Sequence, residues 1–136
     1  MQLLLPVLIL MPVASATTPR VSPVELTPFL KVITTSAGSP GRIACRDMDL
    51  GLQLKKSGVS PDASSPLAWA ANETQLKDYL AEGKLVVAGD ATLLASGATI
   101  AVVKEHGTPV ILISARTLAA SKVTLSDSLM KISRVN

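Results

Sequence analysis

The stretch KLVVAGDATLLASGATIAVVKEHGTPVILIS, residues 84–114, decides the fold class. Leu85 to Ala88 is a short continuous apolar run, the signature of a strand covered on both faces. ATIAVVK (98–104) and PVILIS (109–114) are two further apolar runs. Glu105-His106-Gly107-Thr108 separates them, with His106 and Gly107 where a tight turn demands positive φ. One covered strand and a hairpin are therefore expected here, joined by a short segment, ATLLASG.

Toward the N-terminus, strand and helix patterns alternate. LAWA (67–70) is a second apolar strand. Asn72-Glu73-Thr74-Gln75 opens a helix as a capping box, with Leu76, Tyr79 and Leu80 as its buried stripe and Gly83 as its end. The same residues match a glycosylation sequon, but the helix cap is the preferred reading. RIACRD (42–47) is a further strand. Asp49–Lys56 reads as a helix with Leu50 and Leu54 on one face, closed by Ser57-Gly58. Its Lys55-Lys56 pair is a solvated end favoured by the helix dipole. VSPDASSP (59–66) reads as a loop of turn residues. Glu25–Thr34 places Leu26, Phe29, Leu30 and Ile33 at helical spacing. Beyond the hairpin, one helix begins near Ala115. Another begins at Ser126, with Leu125 and Met130 as a hydrophobic staple and Leu129 and Ile132 facing the core. The alternation predicts an α/β fold: a small, mostly parallel sheet flanked by helices, with a C-terminal antiparallel hairpin.

The chain has 136 residues, 48% of them hydrophobic, which excludes a disordered polar chain. Its three aromatic side chains, Phe29, Trp69 and Tyr79, are too few for a base-stacking nucleic-acid module. The net charge of +3 is spread along the sequence, so no nucleic-acid partner is expected. One cysteine and one histidine cannot make a standard zinc site, and no metal or cofactor is expected.

Residues 1–16, MQLLLPVLILMPVASA, carry no charge. The run Leu3 to Val13 is shorter than the roughly 20 residues that span a bilayer. It ends in Ala14-Ser15-Ala16, an A-x-A cleavage pattern. A buried strand or an uncleaved anchor would share the apolar run; the cleavage pattern favours export. The expected organisation is a signal peptide over 1–16, an extended linker over 17–24 and one domain over 25–136. Cys45 has no intrachain partner, so it is either a buried strand residue or an intermolecular link, and its apolar neighbours favour the first.

Catalytic signals are poor. A Ser-His-Asp arrangement would have to use His106, which sits in a turn and reads as a solvated group. Neither a G-x-S-x-G elbow nor a Walker A loop is present. Asp90 follows a strand, and strand carboxyl ends are where open α/β sheets bind ligands. Asp90 is therefore the best polar candidate for a ligand site, with capping of the next turn as the competing role. Trp69 is a candidate platform, with a place in the core as the competing role.

The segment from Gly83 to Val135 resembles the YfiR-like family of periplasmic proteins. Val86-Val87-Ala88-Gly89-Asp90 is similar to that family's strand ending in Gly-Asp. Gly97 to Ile100 corresponds to its Gly-rich turn, and Leu125-Ser126-Asp127-Ser128-Leu129-Met130 with Arg134-Val135 to its closing stretch. Phe29–Ile33 and Arg42–Cys45 are similar to its first helix and first strand. Three departures stand out. The span between Gly58 and Leu67 has only a loop where the family carries a strand, which implies a smaller sheet. Ser64-Ser65 lie where members often have a cysteine, so an intrachain redox bridge is not supported. Ile111-Leu112-Ile113-Ser114 replaces Phe-x-Ile-Asn. The resemblance implies a non-enzymatic, periplasmic regulator that acts on a membrane-embedded signalling protein, a diguanylate cyclase or sensor kinase, through its periplasmic region. Biofilm growth would then respond through cyclic-di-GMP, and the family's dimeric character makes a homodimer an expectation. A small-ligand binding protein using Asp90 and Trp69 is the alternative.

Overall fold

The computed structural model describes residues 20–136. The expected signal peptide and the first part of the expected linker lie outside the described residues. Helix α1 spans Pro23–Ser36. Ser22 caps it: its Oγ accepts from the Glu25 N–H, and the Glu25 carboxylate accepts from the Ser22 N–H. This reciprocal cap, with proline in the first turn, starts the helix inside the expected 17–24 linker.

The chain continues through β1 (Arg42–Cys45), α2 (Met48–Lys56), β2 (Ser60–Pro61), β3 (Leu67–Ala70) and α3 (Glu73–Ala81). Then follow β4 (Leu85–Ala88), a 3-10 turn (Ala91–Leu94), β5 (Ile100–Glu105) and β6 (Thr108–Ile113). Helices α4 (Ala115–Ser121) and α5 (Asp127–Ile132) lead to β7 (Ser133–Val135). The seven strands form one sheet in the order β2-β1-β3-β4-β5-β6-β7. Every neighbouring pair is parallel except the β5–β6 hairpin. The expected α/β class is the observed one.

Two strands depart from the expectation. Residues 59–66 are not all loop: Ser60 and Pro61 pair with Arg42 and Ile43 at the sheet edge, where a proline's missing N–H costs no ladder bond. The sheet is therefore not reduced there. The chain also does not finish in a helix. Ser133–Val135 pairs with Ile111–Ile113 and extends the other edge.

Alternation along the strands gives the sheet two unlike faces. Ile43, Leu67, Trp69, Leu85, Val87, Ile100, Val102, Ile111 and Ile113 pack under α1, α2 and α5. The opposite face carries Ala44, Ala68, Ala70, Val86 and Ala88 under Leu76 and Tyr79 of α3. Alanine on that face leaves room for the helix to approach the sheet closely, whereas the larger residues build the main core. Two expected core residues lie outside it. Leu80 is 37% exposed and Ile132 is 61% exposed, each at the last turn of its helix. Leu76 and Leu129, nearer the middle of the same helices, are fully buried.

Residues 62–66 carry the chain from one side of β1 to the other, since β2 and β3 flank β1. Two buried serines secure this short crossing. Ser39 Oγ and Ser65 Oγ share a hydrogen bond at 2.7 Å, and the Arg42 carbonyl, 3.0 Å from Ser39 and 3.3 Å from Ser65, accepts the remaining proton of the pair. Lys84 Nζ donates to the Ala63 and Ser65 carbonyls at 2.9 and 2.6 Å.

Candidate functional site

The first five strands lie in the order 2-1-3-4-5, with the reversal of direction across the sheet between β1 and β3. In open α/β sheets, ligands bind beside such a reversal at the strand carboxyl ends. Here those ends carry Arg46 after β1, Ala71 after β3, and Gly89-Asp90 after β4.

The structure brings Trp69 and Asp90 into one neighbourhood. Trp69 is 6% exposed and belongs to the main core. The edge of its indole lies over Gly89: a Cβ there would sit 2.8 Å from Trp69 Cη2. Arg20 crosses above. Its Nη1 donates to the Ala71 carbonyl at 3.1 Å, and its Nη2 lies 3.9 Å from Asp90 Oδ2. Asp90 Oδ1 accepts from both the N–H and the hydroxyl of Thr92, so the residue caps the 3-10 turn. The Thr92 hydrogen bonds, with Arg20 in support, hold the Asp90 carboxyl below the usual carboxylate range. An acid held ionised in this way can accept hydrogen bonds or balance a cation; it is a poor proton donor near neutral pH. Trp69 Nε1 is buried and has no hydrogen-bond partner among the described residues. A buried donor without an acceptor costs about 1–3 kcal/mol, which makes this corner receptive to an acceptor atom.

A second concave region flanks the carboxyl end of β1. Clefts of about 200 and 180 Å³ lie on its two sides and share Cys45, Arg46 and Pro61. Ladder bonds from β2 end with Asp62 N–H to the Ile43 carbonyl, so β2 stops short of Cys45. Cys45 is half-buried at the strand end, and its thiol lies 3.6 Å from the Asp47 carbonyl. Burial pushes the thiol up to about 11. It is protonated at neutral pH and a weak nucleophile, as the strand reading of Cys45 implies. The Arg46 guanidinium lies 5.0 Å from the Tyr79 ring centroid and bonds Asp78 Oδ2 at 2.9 Å. Met48 and Leu52 on adjoining α2 are 81% and 55% exposed.

Sequence reasoning missed Arg20, Arg46 and Lys84. Arg46 carried a usable signal, since it directly follows an apolar strand. Arg20 carried none, because its partners lie 51 and 70 positions away. His106 occupies the hairpin turn with φ +51°, next to Gly107 at +79°. It is exposed, as the turn reading has it.

No family model matches the chain. No curated protein matches it either. Among solved structures, the fold is similar to that of an ABC domain in complex with L-Trp from Streptococcus pneumonia, with a TM-score of 0.56. The identity is 11%; the likeness covers 81% of this chain and 60% of that one. At that identity the likeness speaks to the α/β fold alone.

Proposed function

We propose that the chain is an exported, non-enzymatic regulatory protein that binds a membrane-bound signalling protein through the latter's periplasmic region. The resemblance of residues 83–135 to the YfiR-like family carries this reading. Its motif residues fall at points that define the fold. Asp90 caps the turn after β4, Gly97 takes φ +121° before β5, and Ser126 caps α5. A diguanylate cyclase or a sensor kinase is the partner the resemblance implies. Such a regulator shifts its partner between states by binding one of them more tightly. In-cell crosslinking of the exported full chain, followed by detergent extraction, tests this. The expected product is one membrane protein with a cyclase or kinase output domain. Recovery of the chain from the cytosol, or of no membrane partner, overturns it.

The unpartnered Trp69 Nε1 favours a second reading, that of a small-ligand binding protein. The ligand would place an acceptor atom between Trp69 and Arg20. The neighbouring fold crystallised with L-Trp is compatible with that use of the architecture. Trp69 is the sole tryptophan, so its emission reports directly on the site. Saturable quenching by a member of a panel of carboxylic acids, lost in Arg20→Ala, supports this reading. Unchanged emission across the panel removes it.

A further inference from the structure

The largest of the described clefts, about 340 Å³, lies at the opposite end of the strands from Trp69. The starts of β3 and β4 contribute Leu67 and Leu85, and α4 contributes Thr117, Ala120 and Ser121. Its volume falls within the range of small-molecule sites, at the lower end. Such sites combine apolar walls with a few convergent polar groups, and this one does so. Lys84 is the one charged side chain among its lining residues; no acidic side chain lines it.

The charge on Lys84 is set deep for a lysine. Its side chain is 9% exposed. Two of its three N–H groups go to the Ala63 and Ser65 carbonyls. The nearest carboxylate, Glu82 Oε1, is 3.7 Å away on a half-exposed side chain and outside the cleft lining. A buried ammonium with only a loose counter-charge attracts an anion that can approach from the other side. Over the same cleft, α4 buries no residue of its own. Its Leu118 is only half-buried against the main core, and a molecule filling the cleft would add apolar contact beside it.

We infer that this cleft binds a small carboxylic acid with an apolar body. The carboxylate lies toward Lys84 and the Thr117 hydroxyl, and the body lies against Leu67, Leu85 and Ala120. The inference is independent of the regulatory reading and adds an input to it: occupancy would fix α4 against the sheet.

Decanoate is the probe, with decanol of the same chain length as its uncharged control. Binding to the full exported chain is read by calorimetry and by the rise in melting temperature, which follows from linkage. Decanoate is expected to bind saturably and at least tenfold more tightly than decanol. Ala120→Phe, on the exposed side of α4, fills the cleft and is expected to abolish the binding while leaving the unliganded fold intact. Lys84→Gln is expected to bring decanoate down to the level of decanol. Should Lys84→Gln fail to fold, Ala120→Phe and the decanoate-to-decanol ratio still decide. Equal binding of the two probes, no saturable binding, or unchanged binding in Ala120→Phe overturns the inference.

Discussion

Gly89 has no side chain because the Trp69 indole occupies the space that one would take. Gly89→Ala forces the ring away from its packed position, at about 1–3 kcal/mol for such overpacking. Urea unfolding followed by Trp69 emission measures the loss, and a red shift in the folded emission accompanies it. Ser65 is the corresponding case for polar groups. Its hydroxyl meets Ser39 and the Arg42 carbonyl in full burial. Ser65→Ala leaves buried partners unpaired and is expected to cost about 1–3 kcal/mol, seen as a lower urea midpoint. Cys45 offers a test by reactivity. With its thiol pushed to about 11, alkylation by iodoacetamide stays slow at neutral pH and accelerates only as pH approaches that value. Rapid labelling of the folded chain at pH 7 would contradict the burial of Cys45. These features divide cleanly by legibility. A Gly-Asp at a strand end announces a turn, but nothing in it announces an indole donated by a different strand. The Ser39–Ser65 pair joins residues 26 positions apart, beyond the reach of any local pattern.

Among elements, those with strong local chemistry were legible. The hairpin was set by two apolar runs and a His-Gly turn, and both turn residues take positive φ. LAWA and LVVA read as covered strands, and all eight of their residues are buried. The cap of α3 was half legible. Asn72 accepts from the Gln75 N–H as expected, but Gln75 reaches back to the Ala71 N–H, one residue earlier than a capping box requires. The two edge strands were not legible. β2 holds a proline and only two residues, and β7 reads Ser-Arg-Val without a run of apolar residues. Each exists because a neighbour's backbone was available, which is a tertiary fact. The helix ends failed for a related reason: periodicity counts turns but does not know where the sheet beneath a helix stops. That difference is testable. Leu76→Ala and Leu129→Ala remove fully buried side chains and are expected to cost about 2–5 kcal/mol each. Leu80→Ala and Ile132→Ala are expected to cost less than half as much in the same melts, because both side chains keep substantial contact with water.

For the whole molecule, the acid limb of stability follows from three carboxyls. Glu25 is lowered chiefly by its hydrogen bond from Lys104, Asp62 by Ser64, and Asp90 by the Thr92 N–H. A carboxyl lowered by folding adds stability above its unfolded pKa and loses it as pH falls through the folded value. Stability is therefore expected to hold down to about pH 5 and to decline below about pH 4, the ordinary carboxylate range. Asp62→Asn with Asp90→Asn flattens that decline in thermal melts across pH. A double variant with an unaltered acid limb would contradict the assignment. The two unlike faces of the sheet, the polar crossing at residues 62–66 and the clefts at both strand ends describe one α/β body with concave regions at each end of its strands. The partner proposed above rests on the resemblance over residues 83–135 and not on the fold. The most direct test is intracellular cyclic-di-GMP in cells lacking the chain. A rise on deletion, reversed by the exported form and not by a form without residues 1–16, is expected. An unchanged level would contradict regulation of a diguanylate cyclase, and full rescue by the form confined to the cytosol would contradict action from the periplasmic side.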